Sequence, residues 1–476
     1  MRGKPHLRPV IMMVALLAAG CTSLPPEEAR SGLSDLLGVR GIALPAAQDP
    51  AACAGHSVQT LADAITLGLG CNPDMRRAMA QLGFGAADVY AAGRLSNPRL
   101  GIDLLLPDRV DQRSAFGIDL SLRFSEFLLM PARRRIAATE YDRLQAEVGA
   151  TAQQLASTIA HAWFDWLIAR GRNDITARAA DAATARTELA QAYYSAGNLP
   201  AKDLARQQLQ GSEARVAAHA TQAQEARARQ VLLRRIGVVL PEQAMRAAQI
   251  PLPDPVLPGL DSALEQAQTA RLDLIAARKR VEQQALELGV TRRFRYLGEI
   301  DLGVSGERDD ENSTRAGPSM VFEVPLFDQG QGKILRAQSG LEDAEAALAA
   351  LELDIIAEAR TAHAEAQATA LALRERLDEQ IPAQARLTAE LEREVNFMLA
   401  DPFELLDARI DEYELWNTTV DTLARYWRAR LRLAKASGTA PPIPGARTLN
   451  LTQVVQKRPS EQHHQHHHHD AEEHGP

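Results

Sequence analysis

One stretch of the chain occurs twice, and this repeat restricts the possible folds more than any other feature. The segment GIDLSLRFSEFLLMPARRRIAA from Gly117 aligns without a gap with GPSMVFEVPLFDQGQGKILRAQ from Gly317, 200 positions later. Apolar and polar residues alternate over residues 118–124, and Met320, Phe322, Val324 and Leu326 fall in the same register. Such alternation places one face of a β-strand in an apolar medium and the other face in a polar one. Two similar halves, each with an amphipathic strand, are therefore expected.

Each repeated strand has an amphipathic partner upstream. The segments NPRLGIDLLLP from Asn97 and RYLGEIDLGVSGE from Arg295 both collect apolar residues on one face, and polar links connect them to the repeated strands. We predict two hairpins, at about residues 97–126 and 294–327, each followed by a short turn. Strands of about ten residues match the length that crosses a membrane.

Long helical runs follow both hairpins. The first half predicts helices at 131–195 and 201–236, and the second half predicts helices at 333–399 and 404–436, with a kink at Pro382. Globular helices average about 11–12 residues, so these lengths indicate a coiled coil or a helical barrel. Aromatic residues make up only 4% of the chain, which also favours long helices over a large globular core.

The predicted fold is mainly α with a membrane β part. Four strands cannot close a barrel, because open edges would leave unpaired backbone groups in hydrocarbon, and the smallest bacterial barrels use about eight strands. Several copies of the chain must therefore contribute to one barrel. The expected segments are a signal peptide (1–20), a lipidated segment (21–57), the first repeat (58–240), a Pro-rich linker (241–259), the second repeat (260–437) and a flexible His-rich tail (438–476).

The N-terminal segment has the layout of a secretory signal. Its basic start is followed by an apolar run that is too short to cross a bilayer as a helix, which needs about 20 residues. The sequence LAAGC resembles the lipobox of bacterial lipoproteins, with Ala18 in place of the usual Leu, and predicts lipid attachment at Cys21. Thr22 stands where an Asp often retains lipoproteins at the inner membrane, which favours the outer membrane.

Two further cysteines can pair with each other, and the net charge limits the class of partner. Cys53 and Cys71 either form a disulfide in an oxidising compartment or stay unpaired. The formal net charge of −8 argues against a nucleic-acid partner.

Together these features resemble the TolC family of outer-membrane efflux proteins. The resemblance rests on the two-fold repeat, NPRL at Asn97, VPLFDQGQGKI at Val324, the opening LADAI and NPDMRRAMAQ from Leu61, and ADPFELLDAR at Ala400. It implies a homotrimer with a twelve-strand β-barrel and a long periplasmic α-barrel. It also implies a periplasmic adaptor protein and an inner-membrane RND-type pump as partners. FLLMPARRR lacks the Gly-rich turn of FDQGQG, which leaves the geometry of the first turn open.

Three aspartates at the ends of the helical runs are candidate gate or adaptor-contact residues. Asp203, Asp401 and Asp407 lie at or beside the turns SAGNLP and ADPF. In a trimer they would form acidic rings that narrow the opening and attract cations. Alternatively, they cap helices, since Asp favours helix starts. Both roles are compatible.

The remaining motifs do not indicate a catalytic or nucleotide-binding site. GQGK does not satisfy the phosphate-loop pattern, because Phe327 stands where the first glycine is required. HAWFDW from His161 lacks a nucleophile and predicts helix packing. Aromatic residues in or near the strands are candidates for a membrane-interface belt or for packing where strand becomes helix: Phe116, Phe124, Phe127, Tyr296, Phe322 and Phe327. No catalytic residues and no cofactor are predicted.

The chain ends in a histidine cluster, which gives the only hint about cargo. Gln465 interrupts it, unlike a purification tag. Imidazole binds divalent transition metals, so the cluster favours metal-ion efflux over efflux of drugs or other organic molecules, or protein secretion. The candidate weak metal ligands are His463, His464, His466, His467, His468 and His469.

A different class of protein, a lipid-anchored periplasmic coiled coil that never spans the membrane, is the alternative to a channel.

Overall fold

The computed structural model contains ten α-helices and six strands among the residues it describes. The described residues are 26–45, 53, 55–106, 114–241, 244–245, 249–253, 257–308, 313–445 and 447–449. The helices are α1 (Pro26–Gly38), α2 (Leu61–Cys71), α3 (Pro73–Ala92), α4 (Phe124–Ser195), α5 (Ala201–Ile236), α6 (Leu260–Ala270), α7 (Leu272–Arg293), α8 (Gln331–Glu375), α9 (Ile381–Asn396) and α10 (Pro402–Ala436). The strands are β1 (Arg99–Leu105), β2 (Ala115–Arg123), β3 (Ile250–Pro251), β4 (Ile300–Arg308), β5 (Thr314–Phe322) and β6 (Thr448–Leu449).

The chain divides into two compact units. The first unit comprises residues 1–43, 74–151 and 271–354, and the second comprises residues 44–73, 152–270 and 355–476. Helices α4 and α8 contribute residues to both units. Within the described part of the chain, no helix is long and apolar enough to cross a membrane.

The first unit contains one four-stranded antiparallel sheet in the order β1-β2-β4-β5. The two hairpins that the alternation predicts are present, since β1 pairs with β2 and β4 pairs with β5. The central pairing of β2 with β4 joins them, with Leu120 opposite Val304 and Arg123 opposite Asp301. The sequence did not specify this pairing.

The two strand–helix junctions differ. The prediction of a turn after β2 is wrong, because β2 ends at Arg123 and α4 begins at Phe124, so Pro131 lies inside the helix. After β5 the chain runs through a loop over residues 323–330 before α8 begins at Gln331. Gly330 ends this loop with φ of 79°, a left-handed conformation that glycine adopts without steric cost.

Helices of the first unit pack closely where glycines allow it. At Gly85 of α3, an added Cβ would lie 2.6 Å from Leu144 Cδ1 of α4. Arg271 precedes α7 and pairs with Asp273 in its first turn at 2.7 Å.

The second unit has the larger apolar core. Phe164 of α4 stacks on Trp427 of α10 with ring centroids 4.3 Å apart, and Trp163 lies in the same buried cluster. This matches the packing prediction for HAWFDW. Burial lowers the pKa of His161, and the nearby Asp165 only partly opposes the shift.

Two backbone features of the second unit involve Pro382 and the linker. A π-helix, Arg376–Gln380, separates α8 from α9 just before Pro382. The ring of Pro382 and its missing N–H disfavour a regular α-helix there.

The linker segment pairs with the segment after α10. β3 pairs with β6, and Trp427 Nε1 donates to the carbonyl of Pro251 at 2.9 Å. Part of the segment assigned to the flexible tail is thus paired within the fold.

Candidate functional site

One face of the four-stranded sheet is apolar and open to its surroundings. The cross-strand register brings apolar residues of all four strands together: Leu100, Ile102, Leu104, Phe116, Ile118, Leu120, Leu122, Ile300, Leu302, Val304, Met320 and Phe322. Val304, at the centre of β4, is 59% exposed. Soluble proteins rarely expose a contiguous apolar patch of this kind, which marks a site of interaction with protein, lipid or ligand.

The opposite face of the sheet is mainly polar, although Leu105 and Val321 also lie on it. It carries four carboxylates and three guanidinium groups together with serines and glycines: Arg99, Asp103, Asp119, Arg123, Asp301, Glu307 and Arg315. Gly101 lies opposite Asp119, and a Cβ on this glycine would come within 2.1 Å of Asp119 Oδ1. The glycine therefore makes room for the carboxylate between neighbouring strands.

Both outer strands of the sheet have one open edge. Among the described residues, β1 pairs only with β2, and β5 pairs only with β4. A strand edge exposes a row of unpaired N–H and C=O groups, which is a template for pairing with another chain. Because neighbouring strands alternate in direction, β5 runs antiparallel to β1 of the same sheet.

Asp401 and Asp203 both lie at helix starts in the second unit. Asp401 is the N-cap of α10, and its Oδ1 accepts a hydrogen bond from the Phe403 N–H at 3.0 Å. Asp203 lies in the first turn of α5, 3.4 Å from Arg206. The hydrogen bond of Asp401 supports the capping interpretation of that residue, whereas the N-cap of α5 is Pro200 and has no side-chain capping hydrogen bond.

Asp407 has a different role, because it links two helices. Arg186 of α4 forms an ion pair with Asp407 of α10, and its Nη2 donates to Asp407 Oδ2 at 3.0 Å. The Arg186 side chain is largely buried, with 16% of its surface exposed. Sequence reasoning missed Arg186, because no local motif marks a partner more than 200 positions away.

The pair belongs to a ladder of three ion pairs between α4 and α10. Arg172 pairs with Asp421, and Arg428 pairs with Asp165 at 2.7 Å. Successive pairs are separated by seven and then fourteen positions on each helix, in opposite directions. This is the heptad spacing of antiparallel coiled-coil contacts, so a sequence signal existed but required knowledge that these two helices are neighbours.

The turns themselves lie side by side and differ in character. The ring of Tyr193, near the end of α4, contacts the ring of Phe403 at 5.5 Å between centroids. The turn before α10 exposes Phe397, Met398 and Leu399, and Met398 is 93% exposed with φ of 57°. This exposed apolar turn can bury surface against another protein.

The aromatic residues near the strands are mostly exposed. Phe327 is 98% exposed, whereas Phe124 is half-buried and stacks on Phe127 at 6.2 Å between centroids. Tyr296, expected on the apolar face of a strand, instead lies in a turn four residues before β4 begins.

Cys53 and Cys71 are joined by a disulfide, with their Cα atoms 6.1 Å apart. Cys21 and the six candidate histidine ligands of the tail lie outside the described residues. Within the described part of the chain, no group of three or more His, Cys, Asp or Glu side chains could hold a metal ion.

Comparisons of the fold find outer-membrane channels. No family model matches the sequence, and no curated protein matches it. The outer-membrane protein VceC of Vibrio cholerae superposes with a TM-score of 0.62 at 17% identity, covering 80% of this chain and 97% of VceC. The CmeC outer-membrane channel of Campylobacter jejuni gives a TM-score of 0.66 at 12% identity, covering 83% of this chain and 88% of CmeC.

A third similar structure is the MtrE outer-membrane channel of Neisseria gonorrhoeae in its open state. Its TM-score is 0.63 at 16% identity, with 80% of this chain and 89% of MtrE covered. These matches span most of each chain. The chain therefore has the fold of the TolC-family outer-membrane channels.

Proposed function

We propose that this chain is the outer-membrane channel component of a tripartite efflux system, which conducts substrate passively from the periplasm to the exterior. The amphipathic four-stranded sheet, open at both edges, carries this proposal. Three copies joined edge to edge would supply twelve strands, which is enough to close a barrel without unpaired edges.

The two faces of the sheet fit such a barrel. The apolar face would contact lipid, and the polar face, with Asp103, Asp119, Asp301 and Glu307, would line a water-filled lumen. Since β2 continues directly into α4, a helical tube would extend the barrel into the periplasm. A lipid on Cys21 would add an anchor to the outer membrane. This arrangement has no step that requires catalysis.

The proposed assembly is tested with the purified full-length protein. We expect a heat-sensitive trimer band on denaturing gels, fractionation with the outer membrane, and discrete single-channel conductance in planar bilayers. A soluble monomer after removal of the lipid would refute the channel and favour the non-spanning periplasmic lipoprotein.

We further propose that the Arg186–Asp407 ion pair holds the helical turns in a closed state. The pair joins α4 to α10 close to the two turns, and its arginine is shielded from solvent, so screening by salt is weak. The exposed turn of Phe397, Met398 and Leu399 is the proposed contact for the periplasmic adaptor, behind which the RND-type pump would stand.

The gate is tested by Asp407→Ala, with Asp165→Ala as the matched control. Both substitutions break an Arg–Asp pair between α4 and α10, but only Asp407 lies near the turns. We expect higher single-channel conductance for Asp407→Ala and unchanged conductance for Asp165→Ala. Equal conductance in both variants and in the wild type would contradict a gate.

For cargo, we propose heavy-metal cations ahead of drugs or other small organic molecules. The support is the histidine-rich sequence of the tail, since imidazole binds divalent transition metals. The test is deletion of the chain followed by growth on a panel of metal salts and drugs. Sensitivity to drugs alone would replace this cargo by organic molecules.

A further inference from the structure

We propose that a basic collar at the helical end of the sheet binds the phosphate groups of anionic phospholipids in the periplasmic leaflet of the outer membrane. The collar consists of residues 131–136, 291–297 and 331–336, all in the first unit. The inference rests on the proposed function, because the apolar face of the sheet defines where hydrocarbon would lie.

The same order of surfaces occurs three times at this end of the sheet. After β2, the exposed apolar residues Phe127 and Leu128 precede the basic run 133–135. After β5, exposed Leu326 and Phe327 precede Lys333 and Arg336. Before β4 the basic residues Arg292, Arg293 and Arg295 come first and Tyr296 and Leu297 follow, because here the chain runs towards the sheet. Moving away from the sheet, each segment thus passes from apolar or aromatic to basic.

The three segments meet at one end of the sheet. The Ile300 N–H, at the start of β4, donates to Ser125 Oγ in the first turn of α4 at 3.4 Å. An added Cβ at Gly330, just before α8, would lie 3.4 Å from Arg295 Cβ. These contacts bring the start of α4, the segment before β4 and the start of α8 together at the same end of the sheet.

The charge of the collar contrasts with that of the whole chain. Its three segments contain eight basic residues and no acidic one: Arg133, Arg134, Arg135, Arg292, Arg293, Arg295, Lys333 and Arg336. The chain as a whole carries a formal charge of −8. All eight side chains are exposed, and Arg133 interacts electrostatically with Glu126 in the first turn of α4.

Two of these cations lie close to aromatic rings. The guanidinium of Arg295 lies 4.2 Å from the ring centroid of Tyr296, and that of Arg293 lies 5.6 Å from Phe294. A ring at the level of the headgroups beside a long cationic side chain is the arrangement found at membrane interfaces.

Phosphate is the ligand that this chemistry favours. Arginine forms bidentate, charge-assisted hydrogen bonds with phosphate oxygens, and each Lys or Arg near an anionic lipid surface strengthens binding about fivefold. A zwitterionic lipid presents its own ammonium group to the collar, so anionic lipids are preferred.

The proposal is tested by native mass spectrometry of the full-length protein in detergent. The probes are phosphatidylglycerol, phosphatidylethanolamine and inorganic phosphate. The variants are R133Q/R134Q/R135Q and K333Q/R336Q, since glutamine keeps good helix propensity. The control K202Q/R215Q/R227Q removes three exposed positive charges from α5 in the second unit.

We expect the wild type and the control to bind phosphatidylglycerol more tightly than phosphatidylethanolamine, with no displacement by excess inorganic phosphate. Each collar variant should lose this preference by about fivefold for each charge removed. Unchanged lipid preference in both collar variants, or complete displacement by inorganic phosphate, would overturn the proposal.

Single-channel conductance measured on the same samples separates the two proposals. Collar variants that conduct normally but keep their preference for phosphatidylglycerol refute the collar alone. A wild type that binds the lipid selectively but forms no channel refutes the proposed function instead.

Discussion

Arginine placed at two neighbouring positions of β4 tests which face of the sheet contacts lipid. Val304 is the fifth of the nine residues of β4 and lies on the apolar face between Leu120 and Pro318. Ser305 lies on the polar face and pairs with Asp119. The substitutions Val304→Arg and Ser305→Arg therefore add the same side chain to adjacent residues that point to opposite sides.

The expected magnitudes differ widely. A lipid-facing arginine at the middle of a barrel costs about 2–4 kcal/mol, so three copies destabilise a trimer by about 6–12 kcal/mol. Ser305→Arg places a cation beside the Asp119 carboxylate in water, where such a pair contributes about 0–1 kcal/mol. Only Val304→Arg should prevent stable insertion.

The assay is refolding into vesicles followed by gel analysis of the heat-sensitive trimer and by urea titration. We expect Val304→Arg to lower the trimeric fraction sharply, while Ser305→Arg assembles like the wild type and changes ion selectivity. If both variants assembled equally well, or if Ser305→Arg were the more damaging one, the assignment of the two faces would be refuted.

Three other outcomes follow from the structure. Cys53→Ser should lower the free energy of unfolding by about 3 kcal/mol, because the disulfide no longer closes the loop between Cys53 and Cys71. The thermal midpoint should fall, and adding reductant to the wild type should lower its midpoint by the same amount. Burial raises the pKa of Asp273, but the hydrogen bond and charge of Arg271 outweigh burial, so the pKa is lowered. The ionised Asp273 therefore stabilises the fold above its unfolded-state pKa, and this stabilisation is lost as the pH falls through its folded-state pKa. Asp273→Asn should therefore be less stable than the wild type at neutral pH in urea titrations and equal to it in acid. Truncation after Gln462 should leave the trimer intact on gels, with at most a modest loss of metal tolerance in growth assays, and loss of the trimer would contradict a peripheral tail.

The sequence predicted features that depend on local periodicity. The two-residue period fixed the face of each strand, and the predicted helix at 201–236 coincides with α5 (Ala201–Ile236). Pro382 also predicted where the long helix of the second half is interrupted. The structure has a π-helix, Arg376–Gln380, just before it, and the sequence does not specify this form.

Features that depend on neighbours in space were missed. The pairing of β2 with β4 and the ion pair of Arg186 with Asp407 join residues far apart in the chain. The junction after β2 was missed for a different reason. A proline ordinarily lies in the first turn of a helix, whereas Pro131 lies seven residues inside α4, which begins at Phe124.

The absence of a loop between β2 and α4 has a consequence for how the chain tolerates changes in length. Each α-helical residue turns the chain by about 100°, so an insertion or deletion at Phe124 would rotate every later residue of α4 relative to the strand. Within the first unit, Leu144 of α4 would then no longer face Gly85 of α3. At the second junction, the loop of residues 323–330 can absorb one extra residue without turning α8. Insertions that preserve the fold are therefore expected after β5 and not after β2.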